Sequence, residues 1–357
     1  MSFTACTEDH PRNGVGKAEL PDSSRYEGEF KDGLFHGEGK LTWRHGGYYE
    51  GEFLHGLMEG QGLRIDPDGT RVEGTFVEGQ LNGLAVVNYP DGSSYEGHFR
   101  HGKYHGRGRF ESHKEYYDGE WDMGYKQGVG QLIKKGLGEY QGQFYDDEIA
   151  GEGILVTEGG VRIEGQFDGG VPQGNAVMIS PGGGRLEARF VKGRAMGPGV
   201  QVFDDGSSYK GMFVAGEWHG EGEHTDAQGN IYRGEYREGE RHGYGKILFA
   251  DGREFHGNFE EGVPSGKGSI EYPNAARYAG EFKRGLPNGE GVYEFPNGNR
   301  YVGEFVDGRF EGEGTLVPNA ESGRAPISGL WSEGDYIGKP QPREQLEELE
   351  RVRILVK

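Results

Sequence analysis

Cysteine is nearly absent from this chain: one residue, Cys6, in 357. A single thiol builds no disulfide framework and suits a reducing compartment. Long apolar runs are missing too. None nears the roughly 20 residues that a membrane-spanning helix needs, and the opening MSFTACTEDHPRNG lacks the apolar stretch of a secretory signal. Positive charge is in deficit, with 39 Lys and Arg against 59 Asp and Glu and a formal charge of -20. That balance argues against nucleic acid as partner, because phosphates demand cations. It also argues against adsorption to an anionic bilayer by bulk electrostatics. Aliphatic residues are too few for a thick core. The expectation is a cytoplasmic protein with a thin one.

What the chain has in excess is glycine, 70 residues, set among 43 aromatics. Without a period, such glycine would read as low complexity. Here it sits on a grid. Anchors recur at Tyr26, Tyr49, Val72, Tyr95, Tyr117, Tyr140, Ile163, Leu186, Tyr209, Tyr232, Phe255, Tyr278 and Tyr301, spaced by 23 residues with one step of 22. A longer step of 26 reaches Ile327. Four places after each anchor stands an aromatic, from Phe30 to Trp331, and eleven places after stands glycine, from Gly37 to Gly338. Glycine also stands two places after each anchor except at Ala188. Phe3, with Gly14 and Gly16 at the matching offsets, is a worn first copy. A fixed period of this size means a repeat array, which must be settled before any motif is read.

Within a repeat the side chains alternate. In YEGEF, Tyr26, Gly28 and Phe30 share one face while Glu27 and Glu29 share the other, as in a half-buried strand. Gly33 and Gly37 are expected to bracket a turn, and a second alternating run follows through Gly39, Leu41 and Trp43. Repeats then close on Asp-Gly or Asn-Gly, as at Asp68-Gly69, Asp91-Gly92 and Asn297-Gly298, dipeptides suited to tight reversals. The predicted fold is all-β: an elongated repeat rod of stacked antiparallel β-hairpins. Residues 26–338 supply fourteen repeats after a degenerate copy in 1–25. At two strands per repeat the rod would run about 130 Å before twist. Residues 339–357 leave the grid. Pro340 and Pro342 stop the sheet, and Leu346, Leu349, Val352 and Leu355 are spaced for a short amphipathic helix that caps the last edge strand or pairs two chains. Residues 140–208 keep the pattern least: Asp147 takes the place of a turn glycine, Ile163 and Leu186 replace Tyr, and Ala176 and Ala188 replace Gly. They read either as drift or as a specialised patch.

The segment YEGEFKDGLFHGEG from Tyr26 carries the pattern Y-x-G-E-F/W-x-x-G-x-x-x-G-x-G, and on it the chain resembles the MORN-repeat family over residues 3–338. With no second domain visible, it is most similar to the repeat-only cytoskeletal MORN proteins of protozoan parasites. The resemblance implies a non-enzymatic, self-associating scaffold that organises or anchors a membrane-proximal cytoskeletal assembly through protein–protein contacts. Its expected partners are cytoskeletal proteins and a second copy, paired through the C-terminal repeats (255–357), where the pattern is most regular. An isologous homodimer is the default symmetry. The alternative is a phosphoinositide- or membrane-binding module, with Arg233, Arg237, Arg241, Lys283 and Arg284 as candidate lipid contacts. Repeats of this kind also accompany SET-type lysine methyltransferases and plant phosphatidylinositol phosphate kinases, but nothing after Gly338 leaves room for either.

Other chemistry was weighed against the grid. Gly262-Val-Pro-Ser-Gly266-Lys267-Gly268 suggests a phosphate loop but has neither the spacing nor the Ser or Thr after the lysine. His36, His105, His219 and His242 recur ten places after their anchors. Stacked about 10 Å apart, they cannot meet at one zinc. The glutamates Glu29, Glu52, Glu120, Glu235, Glu281 and Glu304 form a surface ladder with no pocket to split their pKa values, as acid–base work requires. No enzyme, cofactor or metal is expected. The aromatic ladder Tyr209, Phe213, Tyr232, Tyr236, Phe255, Phe259, Tyr278, Phe282, Tyr301, Phe305 and Trp331 has two readings: cross-strand packing, or a groove that accepts a peptide or a β-edge.

Overall fold

The computed structural model describes residues 11–339; Phe3 and the segment with Leu346, Leu349, Val352 and Leu355 lie outside the described residues. Among the described residues the fold is all-β, with 29 strands and one short 3-10 turn, Ala320–Ser322. The chain divides into two compact units, 1–181 and 182–357. In the first, fifteen strands run from Gly14–Glu19 to Val171–Ile179; in the second, fourteen run from Arg185–Val191 to Asp335–Gly338. Within each unit, strands pair antiparallel with their neighbours in sequence.

One repeat explains the rest. Its leading strand is Arg25–Lys31 and its returning strand Leu34–Thr42. They are joined by Asp32-Gly33, both at positive φ (53° and 82°), the primed two-residue turn whose twist matches the strands. At Asp146-Asp147 the second place is held by aspartate at φ 69°, where glycine would rest without strain. Gly37, expected beside the turn, instead lies in a β-bulge. Gly28 pairs with Gly39 but Glu29 pairs with His36, which leaves Gly37 and Glu38 extra on the returning strand. Gly37 takes φ 56°, and the Glu29 side chain folds over it: a Cβ there would stand 2.6 Å from the carboxylate carbon. The same carboxylate accepts the Glu38 N–H at 3.3 Å. Between repeats, Asp68 accepts the Thr70 N–H at 2.8 Å and the Gly69 N–H donates to the Asp66 carbonyl at 2.9 Å, closing the reversal.

The core is a single layer of rings on glycine. Tyr26 lies across the Gly28–Gly39 pair, and its hydroxyl donates to the Glu29 carbonyl at 2.9 Å. A Cβ on Gly28 would stand 2.5 Å from that hydroxyl, so no side chain fits beneath the ring. Tyr26 meets Phe30 of its own repeat and Phe53 of the next edge-on, both at 5.1 Å. Such pairs are worth about 0.5–1.5 kcal/mol beyond the area they bury.

Among the anchors from Tyr26 to Tyr301, three carry no ring: Val72, Ile163 and Leu186. Each has an alanine in its glycine pair, as Gly74–Ala85, Gly165–Ala176 and Ala188–Gly199. All three alanines are buried. A methyl occupies the space the ring vacates, keeping the packing dense. On this face, then, the substitutions at 163, 176, 186 and 188 are paired exchanges of volume.

Candidate interaction faces

The sheet presents a ring face and an outer face. On the ring face of the second unit, Tyr209, Phe213, Tyr232, Tyr236, Phe255, Phe259, Tyr278, Phe282, Tyr301, Phe305 and Trp331 are all at most 7% exposed. Rungs between successive repeats, such as Tyr232–Phe259, Tyr278–Phe305 and Tyr301–Trp331, have centroids 4.7–5.2 Å apart. These rings are core and do not line an open groove, which corrects the second reading of the ladder.

What covers them is a position that the sequence pattern left unmarked, nine places after each anchor. Phe35 stacks on Tyr26 at 3.8 Å, Tyr104 on Tyr95 at 3.6 Å, Trp218 on Tyr209 at 4.2 Å and Phe310 on Tyr301 at 3.9 Å. Arg241 and Lys126 take the same place as cations over Tyr232 and Tyr117, at 5.0 and 5.4 Å. The available signal was negative: this position never holds glycine or an acid. Burial pushes the phenols of Tyr140, Tyr209, Tyr278 and Tyr301 up to about 12, and those of Tyr26, Tyr49 and Tyr232 higher still.

A cleft of about 840 Å³ opens on this face in the first unit, around the ringless anchor Val72. Arg64 lies on its wall, its Nε 2.9 Å from the Asp66 carboxylate. Tyr89 and Tyr104 join their hydroxyls across it.

The outer face carries exposed ion pairs between strands, including Lys17–Glu27 at 2.9 Å, Lys40–Glu50 at 2.8 Å and Arg109–Glu96 at 2.8 Å. Each is worth at most about 1 kcal/mol. The glutamate ladder belongs to the backbone: Glu29, Glu52, Glu120, Glu235, Glu281 and Glu304 close over Gly37, Gly60, Gly128, Gly243, Gly289 and Gly312. Gln143 and Gln166 do the same over Gly151 and Gly174.

The five candidate lipid cations are not brought to one face. Arg241 is the lid of Tyr232, and Arg233 pairs with Glu223. Arg237 and Lys283 end their strands, while Arg284 sits in a turn at φ 52°. His219 and His224 lie on opposite faces, facing Met212 and Tyr209 respectively. The glycines of 262–268 are consumed by turn, bulge and glycine pair. Among the described residues, no group of three His, Cys, Asp or Glu is placed to hold a metal, and no helix is long and apolar enough to cross a membrane.

Several solved structures match the chain at low similarity. The TCP10 domain of Danio rerio CPAP, in complex with a peptide of Danio rerio STIL, is 13% identical with a TM-score of 0.24, covering 70% of this chain and 94% of that one. The SAS-4 TCP domain of Drosophila melanogaster, with a proline-rich motif of Ana2, is 9% identical at 0.15, covering 78% and 99%. Virginiamycin B lyase of Staphylococcus aureus is 11% identical at 0.14, covering 89% and 94%. Scores this low carry no argument about function. No curated protein matches the chain. The MORN repeat profile, however, matches thirteen segments from 26–48 to 301–317, each covering most of an anchor strand and its return, and the chain therefore belongs to the MORN-repeat family.

Proposed function

We propose that the protein is a non-enzymatic scaffold in the cytoplasm whose repeats bind protein partners and a second copy of the chain, anchoring a cytoskeletal assembly close to a membrane. MORN repeats are protein- and membrane-interaction repeats and are generally non-catalytic. One observation carries the reading. The polar groups that recur most often along the grid are absorbed by the fold, tyrosine hydroxyls on carbonyls and glutamates on bulges. What remains for function is extended surface. The C-terminal repeats (255–357), the most regular, are the expected pairing region. Light-scattering mass of the full chain at two concentrations tests this: a dimer is expected, and a concentration-independent monomer would end it. A chain lacking residues 255–357 should be a monomer.

The second reading, phosphoinositide binding, draws on Arg237 and Lys283, exposed cations that hold no ion pair among the described residues. Vesicles containing phosphoinositide should then pellet the chain, and a supernatant unchanged by the lipid would dismiss this reading.

A further inference from the structure

The bulges of the sheet are seats for an anion, and the chain fills most of them itself. In the repeats anchored at Tyr26 and Tyr49, the residue after the bulge glycine donates its N–H to the carboxylate three places after the anchor. Glu38 donates to Glu29 at 3.3 Å and Gln61 to Glu52 at 3.2 Å. The Glu152 N–H donates in the same way to the neutral Gln143 carboxamide, at 3.1 Å. A backbone N–H beside a left-handed glycine is a place where anions settle.

Among the anchors from Tyr26 to Tyr301, five repeats carry neither Glu nor Gln there: Thr75, His98, Arg189, Met212 and Asn258 stand instead. The first two are neighbours. A Cβ on Gly60 would stand 2.4 Å from the Glu52 carboxylate carbon. On Gly83 it would meet nothing nearer than Thr75 Cβ at 3.4 Å, and on Gly106 nothing nearer than His98 Cβ at 3.5 Å. Gly106 nevertheless keeps the φ of 62° found at Gly60. The Thr75 hydroxyl accepts the Gln61 amide at 2.7 Å, and the His98 Nδ1 lies 3.4 Å from the Arg107 carbonyl.

A cavity of about 400 Å³ opens over this stretch, from Gly83 to Gly106. His98, Arg100, His101, His105 and Arg107 line it, and no acid does. Asp122 pairs with His105 at 3.1 Å. Glu120, opposite Arg107 across the strand pairing, closes over Gly128. Arg100 and Arg107 are exposed, and among the described residues no ion pair holds either. In a chain of formal charge -20, basic side chains gather where the internal carboxylate is missing.

We propose that the open bulge at Gly106 binds a carboxylate from outside the chain, carried on an acidic segment of a partner protein. This rests on the scaffold reading and gives one partner contact its place and its chemistry. An Asp or Glu side chain of the partner takes the seat that Glu52 takes in its own repeat and accepts the Arg107 N–H. The Arg100 and Arg107 guanidiniums, lining the same cavity, supply charge-assisted hydrogen bonds to it and to the acids beside it.

Calorimetric titration of the full chain with a hexaglutamate peptide blocked at both ends tests the site. The peptide should bind the wild type and slow hydrogen exchange at the Arg107 amide. His98→Gln fills the seat with a neutral group, as Gln143 does, and should weaken binding about tenfold or more, the loss expected for a hydrogen bond to a charged group. His98→Ala leaves the seat open and should keep binding within a few-fold. Arg100→Ala and Arg107→Ala should each weaken it. A peptide that does not bind, or that responds alike to His98→Gln and His98→Ala, would overturn the site. Phosphoinositide vesicles that pellet the wild type but not His98→Gln, with hexaglutamate unbound, would assign the seat to phosphate and overturn the carboxylate. The dimer mass is a separate readout. A dimer that ignores the peptide overturns this site alone, and a monomer that binds it overturns self-association while the site stands.

Discussion

At the scale of single residues, the repeat turns on one close approach, an aromatic ring seated on two α-carbons. Gly62 shows its tolerance. A Cβ there would stand 2.5 Å from the Tyr49 phenol carbon, so Gly62→Ala should cost about 1–3 kcal/mol by overpacking. The chain already contains the remedy in Val72 with Ala85. Tyr49→Val combined with Gly62→Ala should therefore cost less than the two single changes added, by about 1 kcal/mol or more, a coupling expected of residues in contact. Denaturant unfolding of the four proteins measures it, and strict additivity would show that ring and methyl do not compete for one space.

At the scale of the hairpin, the bulge and its carboxylate decide the register. Glu52 accepts the Gln61 N–H at 3.2 Å above Gly60. Because Gln143 and Gln166 fill the same role, Glu52→Gln should leave stability within about 0.5 kcal/mol of wild type, whereas Glu52→Ala should lose about 0.5–1.5 kcal/mol, as for a deleted hydrogen bond. Faster hydrogen exchange at the Gln61 amide in the alanine variant alone is the local readout. This is also where legibility in the sequence divides. Hairpins, ring ladder and inter-repeat turns were readable, since each rests on an identity repeated at fixed offset. The bulge was not, because period-two alternation assumes one residue opposite one, and here two are extra opposite none. The lid at Phe35, Tyr104 or Arg241 escaped for a different reason. A ring accepts either an aromatic face or a cation over it, so the position keeps its place while its chemistry varies.

Across the whole molecule, the anchor phenols link stability to pH. Their hydroxyls are buried and donate to carbonyls, and those of Tyr140, Tyr209, Tyr278 and Tyr301 lie near 12 when folded, against about 10 in an unfolded chain. A raised folded pKa favours the neutral form, so this contribution is complete below about pH 10 and is lost as pH rises from there through 12. Tyrosinate absorbance and loss of β-sheet circular dichroism should rise together over that window. Tyrosines that ionise near pH 10 with the sheet intact would contradict it. Pairing between sequence neighbours, the pattern of the described strands, has a mechanical consequence as well. Tension applied between the first and last strands of a unit loads the ladders in series, so the sheet unzips instead of shearing. Each 23-residue repeat would pay out about 80 Å of chain at a low and nearly constant force, making the protein a yielding tether.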